Sequence, residues 1–238
     1  MNAPAVPTVV PREQWQATRS ELLVREKAHT RAGDALAAAR RRLPMTPMAP
    51  DIRVTGADGP VPLSAVFEGR RQLLVYHFMW KRGASHDKQC PGCTHTQVAM
   101  NQQVRAYLAA RDVTYAVFCA GPWNEIAAYR DFMGWSMPWY STADTGDDLP
   151  AIRDGGDLRS YLREGDAVFQ TYETTGRGVE AMLPTLQLLD LTPWGRQETW
   201  EDSPAGWPHA DEPASWWWQD GRPIAQWTRT DRRPVGSP

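Results

Sequence analysis

The chain has 238 residues, enough for one domain with a generous core, or one domain carrying arms. Its formal net charge is −2 and its arginines are interleaved with acids, which argues against nucleic acid or an anionic membrane as a partner. Three cysteines, an odd number, argue against a disulfide-stapled secreted framework and for a reducing, cytoplasmic setting. The first eleven residues are apolar but broken by proline, unlike a signal peptide, and no apolar run is long enough to span a bilayer.

Residues 12–43 carry a helical pattern, with Trp15, Leu22, His29, Leu36 and Leu43 recurring every seven residues. Gly33-Asp34 is expected to divide it into two helices, with Asp34 capping the second. Such an arm must lie on the core or on a second subunit. Prolines between Pro44 and Pro50 mark a linker, residues 51–55 a short strand, and Gly56 to Gly59 a turn. Arg71 to Trp80 is the clearest strand, and its Leu73-Leu74-Val75-Tyr76 run has the character of a strand buried on both faces.

A polar loop, Lys81 to Gln89, leads to Cys90-Pro91-Gly92-Cys93, after which Val98, Val104 and Leu108 keep helical spacing to about Arg111. Val113 to Ala120 is a second apolar strand, Trp123 to Met133 a helix, and Met137 to Ser141 a further strand. Residues 157–163 and 167–173 flank Glu164-Gly165-Asp166, the signature of an antiparallel hairpin, and Val179 to Leu189 is helical but interrupted at Pro184. The expected fold is therefore α/β, a thioredoxin-like (βαβ plus ββα) three-layer arrangement. An N-terminal helical arm and linker (1–50) precede the central domain (51–190). A Trp/Pro-rich extension (191–238), holding seven of the twelve tryptophans, follows and is expected to pack on the core or on a partner subunit.

The chemistry concentrates at Cys90 and Cys93. With Cys90 as N-cap, Pro91 falls on the first helical position, where its fixed φ and missing N–H cost nothing. The Cys90 sulfur then faces the positive end of a helix, which favours thiolate, and Lys81, Arg82 and Lys88 can add to the effect. Cys90 is thus the candidate nucleophile and Cys93, one turn on, the candidate resolving thiol. Two alternatives stay open. His86, Cys90, Cys93 and His95 form an H-x3-C-x2-C-x-H cluster of potential zinc ligands, although zinc sites usually draw ligands from two separated segments. A non-catalytic binding or oligomeric module is the other. Haem attachment is excluded by Thr94, which stands where a histidine is required. Cys119 and His77 lie inside apolar strands and are expected in the core; His95 could assist proton transfer, and Trp80 could shield the dithiol.

Several stretches carry a family resemblance. They are Glu26-Lys27, Thr30-Arg31 and Arg41-Arg42-Leu43-Pro44 in the arm; Glu68-Gly69-Arg70-Arg71-Gln72-Leu73 and Val75-Tyr76-His77-Phe78-Met79; Cys90-Pro91-Gly92-Cys93; Met133-Gly134-Trp135; and Leu189-Asp190-Leu191-Thr192-Pro193 with Gly195-Arg196-Gln197-Glu198. In these the chain resembles the bacterial thioredoxin-like family known as domain of unknown function 899, whose members are sometimes labelled dithiol-disulfide oxidoreductases. The resemblance implies a thioredoxin-like fold and a redox role for Cys90 and Cys93; a protein or small-molecule thiol or disulfide is the expected partner of such a dithiol. No cofactor and no resident metal are expected, and a homodimer through the arm or the tail is the expected assembly. Alkyl hydroperoxide reductases of this fold use a Pro-x3-Thr-x2-Cys segment that is absent here. Thioredoxin-like redox proteins place a cis-proline before the strand facing the dithiol. Here Gly155-Gly156-Asp157 stands instead, after a short Gly- and Asp-rich stretch from Thr142, so this region is expected to be remodelled.

Overall fold

A computed structural model describes residues 5–145, 156–212 and 217–230. Helix α1 (Arg12–Arg40) runs unbroken for 29 residues, correcting the expected division at Gly33-Asp34. A single glycine costs a helix only about 1 kcal/mol relative to alanine. Gly33 meets nothing within 4 Å, and Arg31, Ala32, Ala35 and Leu36 around it are good helix formers, so the cooperative ladder continues through it. No residue of α1 is buried, and its stripe is exposed: Trp15 is 47 %, Leu22 45 % and Leu36 59 % accessible.

Strand β1 (Thr46–Pro47) leads into a hairpin, β2 (Arg53–Gly56) and β3 (Gly59–Pro62), followed by a 3-10 turn, Leu63–Phe67. Then come β4 (Gln72–Phe78), α2 (Pro91–Val98), α3 (Gln102–Ala109), β5 (Val113–Cys119), α4 (Trp123–Met133) and β6 (Trp139–Ser141). The single helix expected up to Arg111 is instead two. Asn101 starts the second by accepting a hydrogen bond from the Val104 N–H at 3.0 Å, and it leaves Val98 exposed. Strand β6 begins later than Met137 because Pro138 has no N–H to offer a ladder, although its carbonyl accepts from Val117.

The second half holds β7 (Asp157–Glu164) and β8 (Ala167–Thr175), the expected hairpin, turning at Gly165 with φ 61°. A 3-10 segment, Gly176–Met182, precedes α5 (Pro184–Leu189), where Pro184 starts the helix because N1 tolerates proline. The tail adds β9 (Trp218–Gln219), β10 (Arg222–Pro223) and a 3-10 segment, Ile224–Arg229.

The main sheet has the order β1-β8-β7-β4-β5-β6-β2-β3. Strands β4, β5 and β6 are parallel, β7 runs antiparallel beside β4, and β8 pairs antiparallel with β7. The central order β5-β4-β7-β8, with a helical crossover from β4 to β5 and a hairpin from β7 to β8, is the thioredoxin-like arrangement expected from the sequence. The period of two along β4 divides its side chains between two cores. Tyr76 and Phe78 join Cys93, Ile126, Tyr129 and Trp139 under the helices. Leu73 and Val75 join Ile52, Val66, Phe67 and Phe118 on the opposite face. Among the described residues no helix is long and apolar enough to cross a membrane.

Candidate functional site

The dithiol sits where β4 ends beneath the helical core. The loop from β4 to α2 is held by Gln89, fully buried: its amide donates to the carbonyls of Lys81 and Ala84, and its side-chain oxygen accepts from the Lys81 N–H. Cys90 is the N-cap of α2 (φ −56°, ψ 118°) and Pro91 its first residue. The Cys90 Sγ accepts a hydrogen bond from the Cys93 N–H at 3.2 Å, so a free donor of the helix end points at the sulfur. Cys90 is partly exposed, Cys93 is 1 % exposed, and both are free thiols.

The two thiols titrate in opposite directions. The Cys90 thiol is held below its ordinary range, first by a hydrogen bond from the Cys93 thiol, then by the Cys93 and Gly92 N–H groups and the Lys81 charge, against the opposing effect of burial. Burial, and then the neighbouring Cys90, push Cys93 well up; a hydrogen bond from the Tyr76 hydroxyl partly opposes this. Tyr76 is itself raised well above its ordinary range, chiefly by burial. The surroundings thus favour the thiolate at Cys90 and the protonated thiol at Cys93.

A chain of hydrogen bonds fixes the turn. Gln226, fully buried in the tail, donates to the Tyr129 hydroxyl at 2.8 Å and to the His86 carbonyl at 2.7 Å. Tyr129 meets the Thr94 hydroxyl at 2.7 Å, and Thr94 donates to the Cys90 carbonyl at 2.8 Å. The tail also lays Trp217 on Gly92, so closely that a Cβ there would collide with the indole. Glycine is required at that position by the neighbour rather than by its own φ. Beside Cys90 lies a cavity of about 300 Å³, bordered by Tyr76, Met79, Val179, Leu183, Trp200 and Trp217.

Opposite the dithiol, Gly156 stands directly before β7 with φ 73°, a left-handed conformation that favours glycine. A Cβ there would come within 2.6 Å of the Tyr76 hydroxyl oxygen. Its carbonyl accepts from the Thr175 hydroxyl at 2.5 Å. Gly155 and residues 146–154 lie outside the described residues.

The other candidates disperse. His77 lies on the opposite face of the sheet, buried edge-on to Phe118 and 3.9 Å from Asp157 Oδ1, its pKa lowered by burial and then by Arg159. Cys119 is buried and its thiol pushed up to about 12 by burial. Trp80 donates from its indole to Glu125 Oε2 at 2.8 Å and packs on Phe78 and Tyr129. His86 packs against Tyr129 and Phe132, whereas the His95 Nε2 meets the Thr185 hydroxyl at 3.2 Å. Among the described residues no three His, Cys, Asp or Glu side chains gather as a metal-binding group, so the H-x3-C-x2-C-x-H spacing is not assembled into one.

Sequence reasoning missed Tyr76, Gln226 and Arg196. Tyr76 was accessible through parity, since it shares a strand face with Phe78. Arg196 belongs to the Gly-Arg-Gln-Glu segment; its guanidinium pairs bidentately with Asp190 at 2.6 and 2.7 Å and with Glu180 at 3.0 Å. These pairs tie the loop after α5 to the 3-10 segment that walls the cavity. Replacing Arg196 by Met is expected to cost about 2 kcal/mol in urea unfolding, below the range for fully buried pairs because Asp190 is partly solvated. An unchanged midpoint would show that the pairs contribute nothing net.

Among solved structures the chain is similar to a candidate thiol:disulfide interchange protein DsbE from Chlorobium tepidum, at 16 % identity and a TM-score of 0.42, over 61 % of this chain and 97 % of that one. It is also similar to peroxidoxin BcpB from Mycobacterium tuberculosis, at 13 % identity and a TM-score of 0.43, over 62 % and 97 %. A third is a candidate protein disulfide isomerase from Bacteroides thetaiotaomicron, at 19 % identity and a TM-score of 0.41, over 63 % and 91 %. No curated protein matches. The family profile described as "Bacterial protein of unknown function (DUF899)" matches residues 4–222, nearly the whole length, and the chain belongs to that family.

Proposed function

We propose that the protein is a thiol–disulfide oxidoreductase of the cytoplasm, with Cys90 as attacking and Cys93 as resolving thiol. One observation carries this: a partly exposed sulfur at a helix N-cap, its thiolate favoured by two N–H groups, one turn from a buried thiol held protonated. The Cys90 thiolate attacks one sulfur of a substrate disulfide, forming a mixed disulfide and releasing the other sulfur as thiolate. Cys93 then loses its proton and attacks Cys90 Sγ, releasing the second thiol and closing the Cys90–Cys93 disulfide. The substrate gains two electrons and the protein dithiol loses them. The odd count of three cysteines fits a reducing compartment better than a disulfide-stapled setting. Stoichiometric oxidation of the reduced chain by a small disulfide is expected to lower its mass by two hydrogens, reversibly with dithiothreitol. A mass that does not change would overturn the proposal.

We further propose that a second copy covers α1. A helix of about 43 Å with no buried residue lacks the packed face from which most helical stability in proteins comes. A seven-residue recurrence is the spacing that matches a like helix. Sedimentation is expected to show two chains for the full-length protein and one for a Leu22→Glu, Leu36→Glu variant. A variant that keeps the parent mass would reject the arm as the contact.

A further inference from the structure

We propose, building on the redox function above, that the dithiol takes a small uncharged apolar disulfide from the cavity beside Cys90, and that the C-terminal tail excludes folded protein substrates. The tail covers the face of α2 along which a protein chain would approach. Trp217 rests on Gly92, Gln226 is buried against His86 and Tyr129, and Lys88 donates to the Gly221 carbonyl at 3.4 Å. Among the described residues, the space left beside Cys90 is the cavity of about 300 Å³, at the lower end of the range for small-molecule pockets and too small for a protein loop with its flanking chain.

Its walls set the chemistry of the occupant. Met79, Val179, Leu183, Leu186, Trp200 and Trp217 supply apolar and aromatic surface. The cations on its border are already committed: Arg196 to Asp190 and Glu180, and Arg177 to Glu180 at 2.7 Å, while also lying 4.1 Å over the Trp200 ring. An anionic disulfide would have to lose water against this surface with both border arginines already paired and the Glu180 and Glu198 carboxylates beside it, whereas an uncharged aromatic one only buries apolar area. The reaction is balanced by the protein itself. One R–S–S–R and the Cys90–Cys93 dithiol give two R–SH and the Cys90–Cys93 disulfide, through a Cys90–S–S–R intermediate in the cavity.

The test is single-turnover oxidation of the reduced full-length protein by 4,4′-dithiodipyridine, bis(2-hydroxyethyl) disulfide and insulin. Each rate is divided by the rate of the same reagent with dithiothreitol. The dipyridyl disulfide is expected to lead both others by about tenfold or more, as one well-filled apolar pocket can supply. Trp217→Ala should remove most of that lead, and Trp217→Phe should keep it. A normalised insulin rate equal to that of the dipyridyl disulfide, or a lead unaltered in Trp217→Ala, would overturn the inference while leaving the redox function standing. If none of the three oxidises Cys90 and Cys93, both fall.

Discussion

Reduced Cys93→Ser protein mixed with a small disulfide is expected to accumulate a stable mixed disulfide on Cys90, whereas Cys90→Ser should lose disulfide reduction by about a thousandfold or more. The asymmetry follows from position. Cys90 occupies the N-cap with its sulfur partly exposed and aimed at by the Cys93 N–H; Cys93 lies under the turn, 1 % exposed. A serine at 93 keeps a small polar group but cannot attack the Cys90–substrate disulfide, so the first half of the reaction proceeds and the second stops. A serine at 90 removes the favoured thiolate and leaves only a thiol whose burial holds it protonated. Intact-mass spectrometry reads both outcomes. Equal activity of the two variants, or an adduct on Cys93 rather than Cys90, would reverse the assigned roles.

Gly156→Ala is expected to destabilise the fold by about 2 kcal/mol, a fall in melting temperature of about 4–8 °C for a chain of this size. Two causes add. The residue sits at φ 73°, where an L side chain costs about 1–2 kcal/mol. Its new Cβ would also lie 2.6 Å from the Tyr76 hydroxyl oxygen, forcing that hydroxyl to move. Because Tyr76 also hydrogen-bonds Cys93, the displacement should reach the dithiol. Adding Tyr76→Phe removes the crowded oxygen but leaves the φ penalty. The double variant is therefore expected to recover about 1 kcal/mol relative to the sum of the single effects, a coupling that calorimetry of the four proteins can resolve. Strict additivity would mean that Gly156 is required for its backbone alone.

Much of this fold was legible because strands and helices bury faces at different periods. The β4 run Leu73-Leu74-Val75-Tyr76 and the alternation across Glu164-Gly165-Asp166 give the central strand and the β7–β8 hairpin directly. Cys90-Pro91 is legible for a local reason, since N-cap and N1 preferences act within two residues. The continuity of α1 through Gly33 was not legible. The glycine penalty is local, whereas the ladder that overcomes it is summed over 29 residues. Nor was the break at Asn101, where a single side-chain cap decides between one helix and two. The site's surroundings were hardest to read. Trp217 reaches Gly92 and Gln226 reaches Tyr129 across 125 and 97 residues of sequence, with no periodicity in the tail to say which face it covers. Trp216 and the rest of 213–216 lie outside the described residues. Gly156 was visible as a departure from proline, but that its missing Cβ makes room for Tyr76 is a fact of packing.

The most direct test of a poised dithiol is the mass of the iodoacetamide-treated protein, with and without prior reduction, at pH 6 and pH 8. An ordinary thiol titrates near 8.5 and is almost wholly protonated at pH 6. A lowered Cys90 thiol should label faster at pH 6 than an ordinary thiol and gain less in rate between pH 6 and pH 8, while Cys93 and Cys119, both raised by burial, stay unlabelled at both. One label on Cys90 at pH 6 in the reduced protein, and none after oxidation, is the predicted result. Labelling of Cys90 that begins only near pH 8, or no label without denaturant in either redox state, would contradict it.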